Sequence, residues 1–297
     1  MNIGFVGLGN MGGRITRRLI AAGHSVLGFD PAPRRAEACG AKAAGSVAAV
    51  AKGADTILLS LPDSTAVEPV AAEILQIARP GQVVVDLSTA APSSTIRLAQ
   101  RFAERGASFI DAGISGGAAA AEKGTLTLMV GGDKAAADKL KDVFAPFATK
   151  VVYMGASGAG HTTKLLNNFL NAVSLAATAE VMVAGKKAGL DLHLLLEVLN
   201  ASSGVNFATL NRFPKIVDGD YLEGGLTGKL MTKDVVLYVD CLHRLGVTSL
   251  NAAGPMASFG LGTALGYGDQ ISNRVVDAIG DISGGIRLND SQGKGKK

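Results

Sequence analysis

Apolar and polar positions change rhythm about halfway along the chain. In the first half short apolar runs recur at Asn2 to Val6, Ser25 to Phe29, Thr56 to Leu61, Gln82 to Leu87 and Ser108 to Asp111. Helix-length segments such as Gly12 to Ala22 and Thr65 to Ala78 lie between them. Strands apolar throughout, joined by helical crossovers, predict a mostly parallel sheet covered on both faces. Two more runs, Leu126 to Gly131 and Val151 to Met154, are expected to extend it. From about Gly160 the pattern turns helical, with Leu165, Phe169, Val173 and Ala176 at three- and four-residue spacing. That segment is close to thirty residues long, which predicts a long helix joining two domains. Gly189 reads as its stop and Asp191 as the cap of the next helix. A further helix is expected after Thr232, ending near Gly246. The pattern therefore predicts an α/β domain over residues 1–160, an all-α domain over 161–290, and a disordered tail at 291–297.

Composition narrows the class without naming it. With 297 residues, 47% of them hydrophobic and 18% charged, the chain has room for two globular domains. The net charge is +4, but the tail SQGKGKK alone carries Lys294, Lys296 and Lys297. No basic stripe with interleaved aromatics accompanies it, so nucleic acid is not expected as a partner. No apolar run approaches the roughly 18 residues of a membrane span. The chain opens directly on the strand MNIGFVGLG, with no cationic leader, and Cys39 and Cys241 form no motif. These features fit a reducing cytoplasm. The cysteines and His24, His193 and His243 show no metal-ligand spacing, and no metal is predicted.

Candidate chemistry begins at Gly7-Leu8-Gly9-Asn10-Met11-Gly12. GxGxxG is weak evidence in a chain with 39 glycines. Here it follows a predicted strand at once and opens a predicted helix, the context a dinucleotide site requires. Gly7 would allow the tight turn, Gly9 the approach of the pyrophosphate, and Gly12 the packing of helix on strand. The helix N-terminus would face the phosphates. Asp30 ends the second strand, 18 residues after Gly12. A carboxylate there accepts hydrogen bonds from ribose hydroxyls and repels a 2′-phosphate. NAD is thereby favoured over NADP, although Arg34 and Arg35 pull the other way. These residues predict a Rossmann-type fold for the first domain.

Further along, Ser115-Gly116-Gly117 offers adjacent glycines whose N–H groups can form an anion-binding nest, although on these residues alone a plain structural turn is the favoured reading. Lys164 and Asn168 are four residues apart and share a helix face. On spacing alone Lys164 is more often an ordinary snorkelling helix lysine. His161 precedes it by one turn with no acidic partner at a recognisable spacing, and reads as a local polar residue.

Together the pieces carry a likeness. GLGNMG, Leu61-Pro62, DLSTAAP from Asp86, SGG, GTLTLMVGG from Gly124, GAGHTTKLLNN from Gly158 and Lys233-Asp234 occur in this order. The chain resembles the β-hydroxyacid dehydrogenases over nearly its whole length. The resemblance implies an NAD-dependent oxidoreductase moving hydride between the nicotinamide and a short 3-hydroxy acid. It implies that Ser115, Gly116 and Gly117 hold the substrate carboxylate, that Lys164 carries the proton, and that Asn168 orients the substrate. Thr89 and Lys233 match positions on the nicotinamide side, where a loop cap and a solvated lysine are the plain alternatives. Leu61 and Pro62 would line the cofactor crevice. Asp234 reads as a cap or first residue of its helix. The resemblance also implies a homodimer or homotetramer.

Two departures bear on the substrate: Gly113-Ile114 stands where the family commonly has proline and valine, and GGLTGKLMTKD lacks the family's frequent phenylalanine. The rivals are an imine reductase or NADP-preferring semialdehyde reductase of the same architecture, and a non-catalytic NAD(H)-sensing protein. Lys164 argues against the imine reductase, which usually carries another residue there.

Overall fold

The computed structural model describes residues 1–289, and the expected disordered tail lies outside them. The chain divides into two compact units, one running from Met1 to Lys164 and the other beginning at Leu165.

The first unit holds eight strands in a single sheet. They are β1 (Asn2–Val6), β2 (Ser25–Phe29), β3 (Lys42–Ala43), β4 (Thr56–Leu59), β5 (Val83–Asp86), β6 (Ser108–Ser115), β7 (Leu126–Gly131) and β8 (Ala148–Gly155). Their order is β3-β2-β1-β4-β5-β6-β7-β8. Every neighbouring pair is parallel except β6 with β7. The helices are α1 (Asn10–Ala21), α2 (Arg35–Ala38), α3 (Val47–Gly53), α4 (Ser64–Gln76), α5 (Pro92–Ala103), α6 (Gly117–Lys123), α7 (Lys134–Asp138) and α8 (Lys141–Phe144).

Burial explains why the strands read as continuous apolar runs. Side chains alternate across the sheet, so each strand feeds two cores. Ile3, Phe5, Leu58, Val83 and Val85 join Ile15 and Leu19 of α1 on one face. Val6, Ile57, Leu59 and Val84 meet Val50 of α3, Ile74 of α4 and Phe102 of α5 on the other. β1 lies between β2 and β4, so the chain leaves it on one side and returns on the other. Such a reversal opens a crevice at the C-terminal strand ends, where ligands bind in open α/β sheets.

α9 (Ala159–Lys187) begins in the first unit and continues into the second as a 29-residue helix. The second unit adds α10 (Leu192–Asn200), α11 (Phe207–Asn211), α12 (Phe213–Ile216), α13 (Gly228–Leu245), α14 (Ala253–Ala264) and α15 (Val275–Ile282). Phe169, Leu175 and Met182 of α9 pack with Phe213, Met231, Val235 and Phe259. Asp191 caps α10 as expected, accepting from the N–H groups of His193 and Leu194. The expected start of α13 after Thr232 is corrected. The helix opens at Gly228 because Thr227 caps it, accepting from Leu230 N, and it stops at Gly246 in the left-handed region. Among the described residues no helix is long and apolar enough to cross a membrane.

Candidate active site

At the end of β1 the backbone turns through Gly7 at φ +89°, where a Cβ would sit 2.3 Å from Ser60 O. A Cβ on Gly12 would lie 1.9 Å from Gly7 O, so only glycine lets α1 seat this close to the strand end. On Gly9 it would meet only the flexible tip of Arg35, which leaves that backbone accessible to a ligand. Gly9 is also the N-cap of α1 and provides no side-chain cap, and the first turn carries no acid. No side chain caps this turn, which also carries Asn10 and Met11, and a helix N-terminus of this kind suits an anion. The Leu8 side chain is buried in the core while its N–H donates to Asp30 Oδ2 at 2.8 Å. Asp30 Oδ1 accepts from Ala32 N at 2.9 Å. One backbone bond per oxygen fixes this carboxylate at the tip of β2 and leaves lone pairs for hydroxyl donors. Arg35 stands 3.7 Å from it. A cavity of about 180 Å³ opens alongside, bordered by Gly9, Asn10, Arg14, Arg17 and Arg35. A Cβ on Gly7 would also come 2.9 Å from Leu61 Cδ2. Leu61 N in turn donates to Ser88 Oγ at 2.9 Å, tying the Leu61-Pro62 turn to the loop that carries Thr89. This cradle fits a dinucleotide: glycine where a side chain would block it, a helix N-terminus without a side-chain cap or an acid for phosphate, and a held carboxylate for ribose.

A second constellation forms where β6 meets the start of α9. Asp111, Gly113 and Ser115 alternate onto one face of β6. Asp111 is fully buried, and its two oxygens accept from Gly158 N (2.9 Å) and His161 N (2.8 Å). That carboxylate satisfies amides of the first turn of α9 and complements its dipole. A Cβ on Gly160 would lie 2.3 Å from Met129 O, so the helix starts in direct contact with the sheet. One turn on, a Cβ on Gly113 would lie 2.6 Å from Lys164 Cβ. The missing side chain at Gly113 therefore makes room for the half-buried Lys164 stem. Ser115, two residues along the same face, leads into Gly116 (φ +124°) and Gly117 (φ +68°), which open α6. His161 is fully buried, bonded through Nδ1 to Thr95 Oγ1 at 2.8 Å. Its Nε2 stands 3.9 Å from Asp86 Oδ2, so an acidic neighbour does exist, across the sheet rather than along the sequence.

In the second unit Asn168 and Lys233 are brought together by Asp234. Asp234 is almost fully buried in the middle of α13, not at its start as its position beside Lys233 suggested. Asn168 Nδ2 donates to its Oδ2 at 2.5 Å, and Lys233 Nζ stands 3.2 Å from its Oδ1. One carboxylate thus fixes an amide on α9 and an ammonium on α13.

Comparison with known proteins decides the family. Residues 2–155 match the NAD binding domain of 6-phosphogluconate dehydrogenase. Residues 158–278 match the NAD-binding family of NADP-dependent 3-hydroxyisobutyrate dehydrogenase. The chain belongs to the β-hydroxyacid dehydrogenase family. It is 34% identical to 2-(hydroxymethyl)glutarate dehydrogenase of Eubacterium barkeri over 96% of both chains. It is 38% identical to mitochondrial 3-hydroxyisobutyrate dehydrogenase of Rattus norvegicus, over 80% of this chain and 75% of the relative. A Mycobacterium tuberculosis 3-hydroxyisobutyrate dehydrogenase solved with L-serine superposes with a TM-score of 0.86. That likeness is at 30% identity and covers 94% of this chain and 98% of the other. As a member of the β-hydroxyacid dehydrogenases the chain is an NAD(P)-dependent hydroxyacid dehydrogenase.

Sequence reasoning overlooks two carboxylates in this dehydrogenase. Asp111 anchors the helix that bears Lys164, and its signal is an acid inside an otherwise apolar strand. Asp234 reads from sequence as a cap, because its partner Asn168 is 66 residues away.

Proposed function

We propose that this dehydrogenase moves hydride between NAD and a short 3-hydroxy acid, acting in the cytoplasm, with Lys164 as the proton carrier. The first unit serves as the dinucleotide domain, and the second as the substrate and assembly domain. The observation that carries the reading is the shared face of Asp111, Gly113 and Ser115. It couples the start of α9, and hence Lys164, to the strand that ends in the Ser115-Gly116-Gly117 turn.

The chemistry follows from these groups. Bound oxidised nicotinamide supplies the hydride acceptor. Lys164, as the neutral amine, takes the hydroxyl proton while the C–O bond becomes a carbonyl, and in reduction the ammonium returns it. Ser115 and the N–H groups of Gly116 and Gly117 hold the substrate carboxylate. Asn168 orients the alcohol, and Lys233 and Thr89 serve the nicotinamide side. Gly7, Leu8, Gly9, Asn10, Met11 and Gly12 carry the pyrophosphate, Asp30 the adenosine ribose, and Leu61 and Pro62 the crevice wall. Arg35 beside Asp30 supports a measurable residual use of NADP.

The relatives' names support the substrate class. 3-Hydroxyisobutyrate, L-serine and 2-(hydroxymethyl)glutarate are all 3-hydroxypropionates, differing only in the group on the carbon between carboxylate and alcohol. Exposed Leu170, Leu194, Val198, Leu245 and Leu250 support a homo-oligomer. The test is a panel of such acids, each assayed with NAD and NADP at the reduced-nicotinamide absorbance band. Turnover of at least one acid, faster with NAD, is expected. Absence of turnover across the panel would overturn the reaction, and equal or better rates with NADP would overturn the role of Asp30.

A further inference from the structure

Arg212 differs from the other partly buried arginines of the second unit. Arg274 pairs with Asp277 at 2.9 Å and Glu223 at 3.2 Å. Arg287 pairs with Asp281 and stands 3.9 Å from Asp277. Although burial opposes their charge, these carboxylates hold both guanidinium groups above the usual arginine range. Arg212 has only neutral partners, two side-chain amides and the Phe207 ring 5.8 Å away. Its Nη1 donates to Asn273 Oδ1 at 2.6 Å and its Nη2 to Asn171 Oδ1 at 3.0 Å. Among the described residues no carboxylate pairs with it, and burial pulls its guanidinium down to about 10. Asn273 is almost fully buried and spends its own Nδ2 on Tyr221 O at 2.8 Å, so its oxygen is committed to Arg212. The guanidinium is therefore held in place and desolvated, with further N–H donors in its fork. A desolvated cation with neutral supports has a strong electrostatic preference for an anion.

Its position suggests which anion. Lys164, Asn168 and Asn171 lie at i, i+4 and i+7 on α9 and so share one helix face. Asn171, the residue that holds Arg212, follows Asn168 by about one turn, ~4.5 Å along the axis. A side-chain arm of one or two methylene groups, carried on the carbon between carboxylate and alcohol, spans a step of that length from a substrate held at Asn168.

We propose that Arg212 receives a second carboxylate, borne by the substrate's side chain, so that the preferred 3-hydroxy acid is a dicarboxylate. The inference rests on the dehydrogenase reading above and deepens it. A planar fork suits a carboxylate through two parallel bonds. The same charge disfavours an ammonium on the carbon between carboxylate and alcohol, which sets the dicarboxylate apart from L-serine.

The test compares kcat/KM with NAD for 2-(hydroxymethyl)glutarate, 3-hydroxyisobutyrate and L-serine in the wild type, Arg212→Met and Arg212→Lys. In the wild type the dicarboxylate is expected to lead the methyl compound by roughly tenfold to a hundredfold, the worth of one charge-assisted pair. R212M brings that ratio close to one, mainly through KM, and R212K restores part of it. A wild-type preference for the methyl or ammonium compound would overturn the inference without any variant having to fold. An unchanged ratio in R212M would do the same. Absence of wild-type turnover on all three would instead count against the dehydrogenase reading itself.

Discussion

The two units assemble their polar sites from different materials. In the first, the groups proposed to meet a ligand are chiefly backbone amides, around Gly7, Gly9 and Gly12 and in the Gly116-Gly117 turn. Side chains there act mostly as anchors, as Asp30 does on Leu8 N and Asp111 on the start of α9. In the second unit the groups are charged and amide side chains held by one another across helices: Asn168 and Lys233 on Asp234, Arg212 on Asn171 and Asn273. A backbone site is rigid and intolerant of added atoms. A side-chain site is open to exchange of charge and size, which is where substrate choice within a family can vary.

The contrast predicts different responses to substitution. The largest structural effect is expected from Gly12→Ala, whose Cβ would fall 1.9 Å from a carbonyl oxygen that cannot move without shifting β1. A stability loss of about 1–3 kcal/mol is expected, with NADH affinity weakened by at least about tenfold. Thermal melts and fluorescence titration check both, and an unaffected affinity would break the idea of a tightly built backbone cradle.

Asp234→Asn keeps the shape and removes the charge that holds Lys233. About 1–3 kcal/mol of stability should go with it. KM for the hydroxy acid should rise roughly tenfold, with a smaller loss of NADH affinity, because the same carboxylate holds both Asn168 and Lys233. A loss of NADH affinity equal to that of the substrate would erase the division of labour drawn between the units.

The smallest effect concerns pH. Burial raises the Asp281 carboxyl, but the bonds from Arg287 and Tyr267 outweigh it and hold it below the usual carboxylate range. A carboxyl depressed on folding stabilises above its unfolded pKa of about 4 and loses that contribution as pH falls further. Asp281→Asn should therefore flatten the acid limb of the stability curve, followed by chemical denaturation below neutral pH. An unaltered acid limb would remove this pair from the stabilising set.

The same difference in materials explains what is legible in the sequence. Backbone sites advertise themselves through local spacing, so the glycine fingerprint and Asp30 stand out along the chain itself. The strands are legible too, since burial on both faces leaves unbroken apolar runs such as Val83–Asp86 with its flanks. The two-residue β3 (Lys42–Ala43) has no such run and escapes the pattern. The start of α13 is misplaced by the pattern because the glycines around Thr227 conceal a helix whose first turn depends on that cap. Asp86 beside His161, Asp111 beneath α9 and Asp234 beside Asn168 all depend on contacts between distant segments. No periodicity records them.

The central assignment is that Lys164 moves the proton in a site whose cofactor cradle is built elsewhere in the first unit. Measuring turnover and NADH affinity together in Lys164→Ala tests it most directly. The account predicts a fall in kcat of about 10²–10⁴-fold with NADH affinity unchanged. Turnover equal to that of the wild type would contradict it.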